Sequence, residues 1–164
     1  MSTQSPVPHQ YPYGERITLE LAKEICEAGE AFAAGKQWNA TIAICDDGGH
    51  LVLLHRMSNG QFGSVDLAPP KARGAAAFRR PTQIFHDDLT DGKFTSFWHL
   101  RQEAAIPLEG GFPILLHGKV IGGIGVSGVG AAGFRDGDSQ VALAALKVVD
   151  RLNEAGPNSA TGVL

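Results

Sequence analysis

Residues 118–133 read GKVIGGIGVSGVGAAG, and within them Gly123, Gly125 and Gly128 spell G-x-G-x-x-G. That spacing marks a dinucleotide loop when a strand precedes the glycines and a helix and a second parallel strand follow them. The flanks point elsewhere. FPILL (residues 112–116) is a short apolar run, His117-Gly118-Lys119 is a turn, and VIGGIGVS (residues 120–127) is a second run. Two such runs around a tight turn form a β-hairpin, with Gly123 and Gly125 inside its second strand. Asp150 has the separation of a ribose-binding acid, but it falls in a helical segment with no strand behind it. Asp136 and Asp138 put negative charge where a pyrophosphate would sit. The glycines are therefore read as strand positions that let another backbone, or a ligand, come close. Ser127 in GVSGVG lacks the strand-turn-helix setting of a nucleophile elbow.

Outward from this hairpin the chain reads as helices and a second hairpin. Leu21, Ile25, Ala28 and Phe32 recur at helical spacing, which predicts a helix over residues 18–35 with Thr18 and Gly35 as caps. ATIAIC (residues 40–45) and HLVLLHRM (residues 50–57) flank the turn signal DDGG, the mark of another hairpin. SVDLAPPKARGAAAF predicts a helix from Ser64, in which Pro69 and Pro70 precede it, lie in its first turn or kink it. Residues 80–107 are irregular, with short helical turns and a loop. DSQVALAALKVVDRLNEAG is an amphipathic helix, with Asp138 or Ser139 as start cap and Gly156 at its end. Strands paired by hairpins are antiparallel, so the order implies an α+β sandwich rather than alternating βαβ units.

The chain has 164 residues, enough for one domain with a core: residues 17–156, between a flexible arm (1–16) and a loose tail (157–164). A formal net charge of -3 gives no basic footprint for nucleic acid. The apolar runs are too short for a membrane span, and the N-terminus lacks a signal-peptide core. Cys26 and Cys45 sit in apolar stretches and read as buried free thiols of a reducing, cytoplasmic setting.

ITLELAKEICEAGEAFA, AICDDGGHLVLLHRM, KARGAAAFRRPT, PLEGGFPILLHGKVIGGIGVSG and DSQVALAALK resemble successive blocks of the haem-degrading-domain family, over residues 17–150. That family includes small proteins of glycolate-utilisation operons, extracellular haem-binding sensors and the C-terminal domain of a corrinoid adenosyltransferase. The resemblance implies a profilin-like α/β/α sandwich on an antiparallel sheet, in a homo-oligomer of tetramer size or larger. It leaves the cofactor unknown, with haem as the one it suggests. Tyr11, Pro12 and Tyr13 on the arm are expected to dock on a neighbour.

Two functions follow. One is a ligand-binding protein for haem, a corrinoid or another anionic small molecule, with no nucleic acid or membrane as partner. His86 or His99, near Phe97 and Trp98, would face the ring. The alternative is a cofactor-independent isomerase, tautomerase or hydrolase acting on a small organic acid, with Glu109, His86 or His99 moving a proton. In both, the cluster Arg56, Lys71, Arg79 and Arg80 offers carboxylate clamps. Lys71 and Arg79 are eight residues apart and would share a helix face, and Gly110-Gly111 lets a ligand approach the backbone. His55 shares the strand face of Leu51 and Leu53 and is a further ligand candidate. His50 reads as a turn cap and His117 as solvated. The absence of H-E-x-x-H, H-x-H and C-x-x-C argues against a dedicated zinc site. The site is expected between the helix end near Arg79, the EGG turn and residues 85–106.

Overall fold

A computed structural model describes residues 11–92 and 106–157. Its elements run α1 (Leu19–Gly35), β1 (Thr41–Asp46), β2 (Leu51–Arg56), α2 (Ser64–Phe78), α3 (Gln83–Thr90), β3 (Gly111–Leu116), β4 (Lys119–Ser127) and α4 (Gly137–Ala155). The strands form one sheet in the order β2-β1-β4-β3, and every pairing is antiparallel. Each hairpin is a neighbouring pair, and the two pairs meet along β1 and β4. This is the α+β sandwich that the hairpin reading implies.

Alternation along the strands sorts the two faces. Ile42, Ile44, Ile124 and Val126 turn to one face and pack with Leu21 and Ile25 of α1 and Val141 and Ala145 of α4. Ala43 and Cys45 turn to the other, where they meet Ala68, Ala72 and Ala76 of α2. The first face holds a branched, aliphatic core. The second is made of small side chains, which brings α2 very close to the sheet. A Cβ on Gly123 would lie 2.2 Å from Ala72 O, and one on Gly125 would lie 2.1 Å from Ala68 O. The close approach expected of these glycines is therefore that of a helix backbone.

Local chemistry sets the ends of the elements. Thr18 Oγ1 accepts from Leu21 N–H at 3.3 Å and caps α1 as expected, while Gly35 stays helical and Lys36 follows as the end cap. Pro69 and Pro70 lie inside α2 without ending it. Their missing N–H groups would have met the carbonyls of Val65 and Asp66, which stand on the helix's more exposed side. The residues read as irregular contain α3, whose first turn is stitched to β3: Thr82 N–H donates to Gly111 O at 3.0 Å, and Gly111 N–H to Thr82 Oγ1 at 2.9 Å.

The described part of the arm docks on its own chain. Val120 N–H donates to Pro12 O, and Tyr13 Oη donates to the carbonyls of Ala76 and Ala77 at the end of α2. Both cysteines are buried and free, and burial pushes each thiol up to about 12.

Gly125→Ala should cost about 3 kcal/mol or more, the upper end for overpacking, because the added carbon meets helix backbone. Gly63→Ala, which meets nothing within 4 Å, should stay within about 0.5 kcal/mol. Urea unfolding measures both. In the first hairpin, Asp46 Oδ1 accepts from Gly48 N–H and His50 N–H, each at 2.9 Å. Burial pushes this carboxyl up, but those donors and the His50 imidazole outweigh it and hold it below the ordinary carboxylate value. A lowered folded value means stability that is present above the unfolded value and lost as pH falls. Asp46→Asn should cost about 1–2 kcal/mol at neutral pH. Its difference from wild type should shrink as pH falls from about 5 towards 2.

Candidate functional site

α2 carries Lys71 into the interior, where its side chain is 2 % exposed. Its Nζ donates to Val126 O at 2.8 Å, at the end of β4, and to Asp138 Oδ2 at 2.9 Å, in the first turn of α4. The other carboxylate oxygen, Asp138 Oδ1, accepts from Val129 N–H at 2.8 Å and Gly130 N–H at 3.1 Å. Asp138 thus holds the β4–α4 connection rather than capping its own helix. The cap comes from elsewhere in the chain: Glu109 Oε2 accepts from Ser139 N–H at 2.7 Å and from the Ser139 hydroxyl. A carboxylate at a helix N-terminus also meets the positive end of the helix dipole. Gly110 makes this crowding possible. It sits at φ +104°, and a Cβ there would lie 2.6 Å from Val126 O and 2.7 Å from Asp138 Cβ.

Above this network opens a cleft of about 550 Å³, within the usual size of a small-ligand site. Lys71, Glu109, Asp138 and Ser127 form its floor, Leu67 and Leu108 supply apolar wall, and Gln83, His86 and Asp87 of α3 and Arg135 border it. A second cleft of about 310 Å³, with Leu89 and Pro107, shares His86 and Leu108 with the first. His86 Nδ1 stands 3.3 Å from Asp87 Oδ1 and 3.4 Å from Gln83 Nε2. With Nδ1 so engaged, Nε2 is the nitrogen left for a ligand.

The structure therefore gathers Lys71, His86 and Glu109, with Gly110 packed behind them. Gly111 is stitched to Thr82, and a Cβ on it would meet Thr82 and Lys71 O. Several expected residues lie elsewhere. Arg79 takes a left-handed conformation (φ 53°) as the end cap of α2. That turn directs it away from Lys71, and its Nη1 donates to Tyr11 O at 2.8 Å, with the guanidinium over the Tyr13 ring. Arg80 lies over the Phe85 ring. Arg56 is exposed at the end of the outer strand β2, and His55 Nδ1 faces Glu30 Oε1 at 3.1 Å. His99 and Trp98 fall outside the described residues. Arg135, Gln83 and Leu108 were not singled out in the sequence. The sequence shows Asp138 as a helix cap and as charge against a pyrophosphate but not as an ion-pair partner, because Lys71 is 67 residues away and no local spacing reveals it.

Removing one partner from a buried ion pair strands the other. Lys71→Met should therefore cost about 3–5 kcal/mol. The double variant Lys71→Met/Asp138→Asn should lose less than the two single losses combined, by about 1–3 kcal/mol, as read in denaturant unfolding.

Comparison with known proteins fits this architecture. A family model described as "Haem degrading protein HbpS-like" matches residues 17–147. Protein GlcG of Escherichia coli (strain K12) is 36% identical over 111 residues, covering 68% of this chain and 81% of that protein. The crystal structure of Klebsiella pneumoniae protein ORFY superposes with a TM-score of 0.75 at 27% identity, over 86% of this chain and 95% of that one. The crystal structure of a PduOC:heme complex superposes with a TM-score of 0.71 at 25% identity, over 80% of this chain and 94% of that one. This chain belongs to the HbpS-like haem-degrading protein family.

Proposed function

We propose that the chain is a small-molecule-binding protein that takes haem, or a similar ring bearing carboxylates, in the cleft between α2, α3 and the Glu109–Gly110 turn. The observation that carries this reading is the position of His86 at the junction of two clefts that share Leu108 as apolar wall. The residues fit the group. His86 would hold the iron through an imidazole nitrogen, Leu67 and Leu108 would face the apolar ring, and the Arg135 guanidinium would hold a propionate. Haem, when bound, supplies a redox-active iron. The chain's own residues orient the ring, wall it from water and hold its carboxylates.

The carboxylates in the cleft do not oppose an anionic ligand equally. Asp138 is matched by Lys71 and two backbone N–H groups, and Glu109 by Ser139. Asp87 and Asp136 are exposed or partly so, where water screens them. Glu109 is also the base that an acid-processing enzyme would use. Its Oε2 is already taken up by the Ser139 N–H and hydroxyl at the start of α4, a structural task, so the binding reading has more support than the enzymatic one. The likeness to a fold relative solved with heme adds to it.

The same reading has the protein act as a homo-oligomer, tetramer or larger, in the cytoplasm. Exposed Phe62 and Leu143 offer apolar surface for assembly, and the buried free thiols suit a reducing compartment. Among the described residues, no helix is long and apolar enough to cross a membrane.

Titration of the full chain with haemin should give a saturable Soret band. His86→Ala should abolish it, and Arg135→Ala should weaken binding about fivefold, or about 1 kcal/mol. His117→Ala and Arg79→Ala should leave it unchanged. A band that survives His86→Ala and disappears in His99→Ala or Arg79→Ala would move the site elsewhere. Light scattering at the monomer mass of 17.3 kDa would remove the oligomer.

A further inference from the structure

Cys26 and Glu30 are four residues apart on α1 and so share one face of the helix. That face looks onto the outer strand β2, from which His55 reaches back. The Cys26 Sγ, a Glu30 carboxylate oxygen and a His55 ring nitrogen all lie within 4.8 Å of one another. His55 Nδ1 and Glu30 Oε1 are already 3.1 Å apart. The sheet separates this cluster from α2, which carries Lys71, so it is distinct from the haem cleft.

We propose that Cys26, Glu30 and His55 form a binding site for a thiophilic divalent cation, zinc foremost. Three features carry the assignment. The donor set of thiolate, imidazole and carboxylate is the one that zinc accepts and that hard cations such as magnesium and calcium do not. Zinc bond lengths place tetrahedral ligand atoms roughly 3.3–3.6 Å apart, so the triangle needs only small side-chain rotations to close on an ion. The burial is graded. Cys26 is fully buried, whereas the His55 and Glu30 side chains are 41% and 29% exposed. An ion can enter from the solvent side, and a water completes the fourth position. On binding, the Cys26 thiol gives its proton to bulk water and the sulfur takes the metal in its place. The ion would tie α1 to β2, which among the described residues is one of the two edge strands of the sheet.

The probe is cobalt(II) alone, added to metal-free full-length protein under a non-chelating reductant. One equivalent should produce a thiolate-to-cobalt charge-transfer band and the intense visible bands of a four-coordinate ion, and zinc(II) should bleach both. Cys26→Ala should abolish the bands, while Cys45→Ala, on the opposite face of the sheet, should keep them. Glu30→Gln and His55→Ala change partly exposed positions, so they test the site even if the buried Cys26→Ala protein folds poorly. Each should weaken cobalt binding at least about tenfold, the least that loss of an outer-shell partner costs. Absence of the bands in wild type, their dependence on Cys45 instead of Cys26, or unchanged affinity in both Glu30→Gln and His55→Ala would overturn the site. Haemin binding should be the same with and without zinc.

Discussion

The contact between the α2 backbone and β4 governs the rest of the molecule. Gly123 and Gly125 leave the strand bare where Ala68 O and Ala72 O press against it, with no room for even one methyl group. A helix seated at normal side-chain distance would stand farther from the sheet, and a lysine on it would end short of the interior. Here the short distance lets Lys71 reach Val126 O and the start of α4 in a single span. The glycine stripe thus performs two tasks that its sequence motif does not announce. It sets the thickness of one layer of the sandwich, and it decides which polar groups can meet beneath the cleft.

The buried Lys71–Asp138 pair then fixes the relation of three elements. Removing two charges from water is costly, and the cost is offset only when every remaining lone pair and proton finds a partner. Val126 O, Val129 N–H and Gly130 N–H supply those partners, and all belong to the strand end and connection that form the cleft floor. Glu109, on the same floor, fastens the segment before β3 to the start of α4 through Ser139. The cleft floor is therefore a hydrogen-bonded polar surface tied to three elements. Its border, where His86 and Arg135 stand, is exposed.

Much of the fold was legible in the sequence because its signals are local. The two hairpins follow from apolar runs around DDGG and HGK, and α1 and α4 follow from their periodicity. α3 was read only as short turns, since eight residues hold too little periodicity to stand out. The site was less legible because its signals are not local. Lys71 was singled out, but for a carboxylate clamp, whereas burial commits it to Asp138. Arg79 was paired with Lys71 by helical spacing, and the left-handed turn at Arg79 breaks that spacing at the residue that mattered. The Cys26, Glu30 and His55 cluster escaped motif reading for the same reason: two of its donors come from a helix and one from a strand 25 residues beyond Glu30.

The brace formed by Tyr11, Tyr13 and Arg79 bears on the order in which the chain assembles. Its contacts join residues 63 to 68 positions apart, and Pro12 meets Val120 across an even longer loop. Such pairings close late, because the entropy of the intervening chain must be lost before they form. What closes last with few buried contacts also opens first. Residues Tyr11 and Tyr13 thus cover the end of α2: without them the carbonyls of Ala76 and Ala77 and the Arg79 side chain would be bare. Loss of the Tyr13 hydroxyl would then loosen that helix end and leave the equilibrium of the core almost untouched.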